Sequence, residues 1–234
     1  MKYLCSSVAW LMLCSAGAAC AAAPDSIQAT YDIYKAGIRI GQIEETYLRD
    51  KDRYKLTSTT RAVGLFTLFR RGKIVVSSSG LINAQGLKPL IVSAEHEGKE
   101  KENRRAEFDW DSKTITLIHQ AERTAVALPD DTQDRLSAMY QFMFLPLQAP
   151  KLNFQMLNGN YLLNFRFDIS QGPVLKTPAG EFRTLYLDNK AQAARERTEI
   201  WLATQFHNLP CKMVVTDADG GKITQILRKL DIGP

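Results

Sequence analysis

The feature that most constrains this chain is one stretch of helical periodicity in a sequence that otherwise alternates. Leu136, Met139, Tyr140, Met143, Phe144 and Leu147 follow the i, i+3, i+4, i+7 spacing of a single helical face. Asp131 stands where an N-cap belongs, and Asp134, three residues on, resembles a capping box with Asp in place of Glu or Gln. Pro129 and Pro146 bound the run, because proline cannot continue a helix. Phe142 and Leu145 point away from the first face. The pattern therefore predicts one helix at about residues 131–146, covered by apolar surface on more than one side. Asp134 and Ser137, also three apart, fit either a shared polar site or a cap with a satisfied small residue.

Everything around this helix reads as β-strand. Residues 28–34 alternate, with Ala29, Tyr31 and Ile33 on one face. Ile38 and Ile40 share one face while Ile43 and Tyr47 share the other, so the phase changes near Gly41, as a bulge would require. Asn158-Gly159-Asn160 is a hairpin signal, and Tyr161, Leu163, Phe165, Phe167 and Ile169 then occupy every odd position, with mostly polar residues between them. About a dozen strands arise at the ~8–12-residue spacing of all-β sandwiches and barrels. The run Leu65-Phe66-Thr67-Leu68-Phe69 before Arg70 and Arg71 fits a crossing strand, a helical turn or an exposed tip suited to a membrane surface; burial in the core is the expectation. The fold class expected is all-β: a curved antiparallel sheet or open barrel with one central helix, lying in the concavity or plugging the barrel.

The first residues look like a targeting signal. Lys2 supplies a positive start, residues 4–20 are apolar or small, and Ala19-Cys20-Ala21-Ala22-Ala23 offers small residues for cleavage after Ala21 or Ala22. Residues 1–22 are thus expected to be a signal peptide and residues 23–234 one all-β domain. Cys20 raises lipidation, but Gly17-Ala18-Ala19 lacks the Leu that usually opens a lipobox. No later stretch approaches the ~18 apolar residues of a transmembrane helix. The expected location is the periplasm. Cys5, Cys14 and Cys20 leave with the signal, so Cys211 remains as a lone thiol, safest when buried. Loss of Lys2 leaves 29 Lys and Arg against 25 acids, a net charge of +4. The densest charge cluster, residues 99–105, mixes both signs and has none of the aromatic interleaving of a nucleic-acid patch, so no nucleic-acid partner is expected.

Three stretches resemble an exported Gram-negative family catalogued as domain of unknown function 3108. They are Tyr31-Asp-Ile-Tyr-Lys-Ala-Gly-Ile-Arg-Ile-Gly41, Thr132-Gln-Asp-Arg-Leu-Ser-Ala-Met-Tyr140 and Leu209-Pro-Cys-Lys-Met-Val-Val-Thr-Asp-Ala-Asp-Gly220. The resemblance implies a curved, barrel-like antiparallel sheet in the periplasm and brings no catalytic residues with it. Cys211 departs from the ordinary strand residue expected there.

Catalytic chemistry is hard to place. There is no G-x-S-x-G elbow, and Ser77-Ser78-Ser79-Gly80 sits in a strand pattern. His96, His119 and His207 are isolated, without zinc spacing. Asp217-Ala218-Asp219-Gly220 has Gly at the fourth position of a calcium-type loop rather than the sixth, and Arg228 where the closing Glu belongs. No catalytic residue, metal or cofactor is therefore assigned. The leading expectation is a non-enzymatic binding or carrier module for a lipid or other hydrophobic small molecule, with Leu136, Met139, Tyr140, Met143 and Phe144 as candidate cavity-lining residues. A structural or assembly partner of an envelope protein is the alternative. A hydrolase ranks last, for want of a nucleophile–base pair.

Overall fold

The computed structural model describes residues 23–68, 72–190 and 196–233. The expected signal peptide at residues 1–22 and the arginine pair at 70–71 lie outside them. The strands are β1 (Ser26–Lys35), β2 (Ile38–Asp50), β3 (Arg53–Ala62), β4 (Lys73–Asn83), β5 (Gly86–His96), β6 (Arg104–Asp109), β7 (Thr114–His119), β8 (Glu122–Ala127) and β9 (Gln133–Asp134). After the helix α1 (Arg135–Gln141) come β10 (Lys151–Asn158), β11 (Tyr161–Gln171), β12 (Leu175–Thr177), β13 (Gly180–Phe182), β14 (Thr184–Asp188), β15 (Arg197–Ala203), β16 (Leu209–Thr216) and β17 (Lys222–Ile232).

Fifteen of these strands form one sheet in the order β8-β7-β6-β5-β4-β3-β2-β1-β17-β16-β15-β14-β11-β10-β9, while β12 and β13 form a separate small hairpin. Every pairing in the large sheet is antiparallel except β9 with β10. The connectivity alone dictates curvature. The outermost strands β8 and β9 are joined by residues 128–132, which reach at most about 20 Å. Laid flat at ~4.8 Å per strand, the two edges would stand roughly 65 Å apart. The sheet therefore curls into an open barrel whose edges approach without backbone strand pairing among the described residues. The β1–β2 register shifts between Ile33 and Tyr34, beside Gly41, as the change of phase predicts.

The concave side carries two apolar clusters. One gathers Ile27, Tyr31, Tyr47, Leu56 and Leu227 around Leu136 and Tyr140 of the helix. The other holds Phe142, Phe167, Leu187, Ile200 and Leu202. The helix thus meets apolar surface on both sides. Met139 packs against both clusters. A third cluster, with Phe108, Ile115, Leu117, Leu128 and Leu157, seals the seam where the sheet edges approach. On the other face of β1, buried Asp32 accepts from Arg39 at 2.7 Å and from Arg228 at 2.9 Å, tying β1 to β2 and β17.

Two expectations are corrected here. The helix is shorter than residues 131–146. Asp131 takes a left-handed φ of 58°, and Gln133 and Asp134 are spent on parallel pairing with Met156 and Leu157, so helical geometry cannot begin before Arg135. Asp134 is the N-cap, and Ser137 completes the capping box. At the other end, Met143 N donates to Tyr140 O and Phe144 N to Gln141 O, i→i+3 bonds that tighten the last turn and end the helix. The second correction is the apolar run at residues 65–69, of which Phe69 lies outside the described residues and the rest falls within Gly64–Leu68. It is a 3-10 turn with Leu65 78% and Phe66 38% exposed, because the turn leaves the end of β3 and meets little besides β2.

Candidate functional site

The interior site is built by inward-facing side chains of β2, β3 and β4 together with the helix. On β2 the alternate positions Gly41, Ile43, Glu45 and Tyr47 share the concave face, which puts a carboxyl among apolar neighbours. Glu45 Oε1 accepts from Ser58 Oγ at 3.2 Å, and Oε2 accepts from Tyr140 OH at 3.1 Å. Burial pushes the Glu45 carboxyl up to about 7, against the pull of those two donors. Tyr140 also stacks on Tyr47, with ring centroids 5.7 Å apart. Burial, then the nearby Glu45 charge, hold the hydroxyls of Tyr31 and Tyr140 well above the usual phenol range.

A second buried carboxyl anchors the start of the helix. Asp134 Oδ1 accepts from Leu136 N and Ser137 N, each at 2.9 Å, while Oδ2 accepts from Ser78 Oγ at 2.5 Å. Ser78 is in turn bonded to Tyr54 OH at 3.1 Å. Burial raises the Asp134 carboxyl above the usual range despite these bonds. The end of the helix is held by Gln141, which accepts from Leu87 N at 2.7 Å and donates to Gln85 O at 2.7 Å. That clasp needs Gly86, whose φ is 103° and where a Cβ would lie 2.5 Å from Gln141 Oε1 and 2.7 Å from Phe144 Cβ. The helix is therefore pinned at both ends to β4, β5 and the turn between them.

The five residues expected to line a cavity all lie on the inward side, but the structure divides them. Met143 and Phe144 border a cleft of ≈ 1020 Å³ at the C-terminal end of the helix, together with Leu145, Leu147, Ile169 and Leu185. Met139 borders a small void of ≈ 40 Å³ with Phe154, Phe165 and Phe167. Leu136 contributes to the floor of a recess of ≈ 180 Å³ on the seam. Tyr140, 1% exposed, borders none of these three and serves as packing and as a donor to Glu45. Glu45 was missed from the sequence, although its position between Ile43 and Tyr47 placed it on their face.

The remaining candidates are structural in their contacts. Cys211 is fully buried, its Sγ donates to Trp201 O at 3.3 Å, and burial pushes the thiol up to about 11. A thiol reagent should therefore label Cys211 slowly in the native protein and promptly in denaturant; fast native labelling would contradict this burial. Asp217 folds its own turn, its Oδ1 accepting from Asp219 N and Gly221 N. His119 Nε2 bonds the carbonyl of Lys101. Among the described residues, no group of three His, Cys, Asp or Glu side chains is placed to hold a metal ion, and no helix is long and apolar enough to cross a membrane.

The sequence profile of a family described as proteins of unknown function, DUF3108, matches residues 30–228. No match was found among curated protein sequences. A beta-barrel-like protein of the domain-of-unknown-function family DUF1849 from Brucella abortus superposes with a TM-score of 0.61 at 10% identity, over 90% of this chain and 98% of its own. This likeness concerns the fold alone. A candidate lipoprotein from Parabacteroides distasonis covers 89% of this chain and 97% of its own at 11% identity, with a TM-score of 0.36. A candidate exported protein with a YmcC-like fold from Bacteroides fragilis covers 89% and 96% at 11% identity, with a TM-score of 0.32. The last two overlap too loosely to bear on the fold.

Proposed function

Because the chain belongs to the family of proteins of unknown function DUF3108, we propose its role from the geometry of its interior: an exported, non-enzymatic binding or carrier module for a hydrophobic ligand. The observation that carries this reading is the ≈ 1020 Å³ cleft at the end of the helix, lined by Met143, Phe144, Leu145, Leu147, Ile169 and Leu185. A volume of that size matches the upper range of small-molecule sites, which are mostly apolar and largely pre-formed. Methionine and leucine side chains re-pack readily around apolar groups of varied shape. The apolar run at residues 4–20, followed by small residues, supports export to the periplasm.

Met139 and Met143 separate a packed residue from a cleft-lining one. Met139 lies between two core clusters, so Met139→Ala should destabilise by about 2 kcal/mol or more in urea melts. Met143 already lacks partners on its cleft side, so Met143→Ala should cost about 1 kcal/mol while weakening a hydrophobic fluorescent probe. Protein recovered from the periplasmic fraction, starting near Ala22 or Ala23, should carry lipid detectable by mass spectrometry. Absence of both lipid and saturable probe binding would end the carrier reading.

The assembly reading has one observation in its favour. Strand β8 ends the sheet, and its outer edge offers unpaired backbone groups on an exposed six-residue strand. A stable complex with an envelope protein, lost on Thr124→Pro, is the outcome that reading requires.

A further inference from the structure

We propose that the seam of the open barrel is a second binding site, distinct from the cleft and selective for a single acyl chain ending in a carboxylate, as in a free fatty acid. The seam lies between β6 and the β10–β11 turn, where the large sheet fails to close through backbone bonds. Side chains bridge it instead: Arg104 Nη1 donates to Asn160 Oδ1 at 2.9 Å. Beneath this latch is a recess of ≈ 180 Å³ with an apolar floor formed by Val92, Ala106, Leu117, Leu136 and Leu157. This is smaller than the ~300 Å³ at which pockets for drug-sized molecules begin, so it suits one chain rather than a two-chain lipid.

The rim supplies the charge selection. Arg104, Arg105 and Arg135 all border the recess and all are exposed. Arg105 is already paired with Glu107 at 2.9 Å. Arg104 is bonded only to a neutral amide, and the Arg135 side chain has no hydrogen bond or ion pair among the described residues. Two guanidinium groups at one mouth, one from β6 and one from the first turn of the helix, thus make no ion pair among the described residues, although Glu196 borders the neighbouring ≈ 40 Å³ void with Arg135. The acid nearest the floor, Asp134, is buried with both oxygens engaged by Ser78 and the helix N–H groups, so it does not neutralise the rim. Guanidinium forks match a carboxylate in shape and charge, and an apolar slot beneath them fixes which end of an amphiphile enters. Neutral chains gain the slot alone; small anions gain the rim alone.

Calorimetric titration of the mature protein with decanoate, decanol and acetate tests the site. Decanoate should bind saturably, decanol about tenfold or more weakly, and acetate without saturation, since one charge-assisted contact carries roughly that ratio. Arg135→Glu lies on the surface and should retain the wild-type melting curve, and Arg104→Gln keeps a donor for Asn160; each should weaken decanoate about tenfold. Met143→Asp should abolish probe binding in the cleft and leave decanoate binding intact, which separates failure of this proposal from failure of the carrier reading. Equal affinity for decanoate and decanol, indifference to both arginine variants, or loss of decanoate binding with Met143→Asp would overturn the seam site.

Discussion

Asp134→Ala should lower the stability of this protein by about 3–4 kcal/mol. The carboxylate receives two helix N–H groups on one oxygen and the Ser78 hydroxyl on the other, all buried. Losing a cap costs about 0.5–2 kcal/mol, and each buried group left without a partner costs ~1–3 kcal/mol. These losses overlap, because Ser78 can turn to another acceptor, so the total falls short of their sum. Asp134→Asn keeps the capping oxygen and should cost about 1–2 kcal/mol. Urea melts with a common m-value measure both. If the alanine variant lost less than the asparagine variant, the clasp between β4 and the helix would not be what holds the helix in the concavity.

Glu45 makes stability depend on pH in a direction opposite to that of most carboxylates. Its carboxyl ionises near 7 in the folded protein and near 4.5 in the unfolded chain, because burial penalises the charged form. Between those values the folded state keeps a proton that the unfolded state has released. The stability is therefore fully present below about pH 4.5 and falls as pH rises through about 7. At 1.36 kcal/mol per unit the loss amounts to about 2–3 kcal/mol for this half-buried residue. Asp134 is shifted the same way and adds to the slope. Glu45→Gln preserves acceptance from Tyr140 and should flatten the profile, leaving the variant more stable than wild type at pH 8 and close to it at pH 5. An unchanged slope in the glutamine variant would place the titration elsewhere.

The sequence made the period of each segment legible, and with it the fold class. Strand alternation in β11, the Asn158–Asn160 turn and the apolar helix face all depend on local spacing, which survives in the structure. Helix length did not survive, because it was decided by a contact with β10, twenty-odd residues away, that claims Gln133 and Asp134 first. The cap followed that shift: the Asp134–Ser137 pair was visible, but choosing it over Asp131–Asp134 required knowing where strand pairing stopped. Leu65 and Phe66 were misplaced for the opposite reason. Hydrophobicity alone does not say whether a partner is within reach, and here the turn points away from the barrel. The candidate cavity residues were found as a face, yet which recess each one borders is set by the neighbouring strands.

The central position of β1 sets the order in which the fold can be completed. Its hydrogen-bonding neighbours are β2, which follows at once, and β17, at the far end of the described chain. Until β17 arrives, β1 presents a bare edge, and the two arms of the sheet have nothing to join them. Such a long-range pairing must be found against a large loop-closure entropy, which makes the last docking step slow. During that interval an emerging chain would carry two unfinished sheets whose edges are open to the wrong partners. A chain built this way gains from any helper that shields β1 until synthesis has delivered β17.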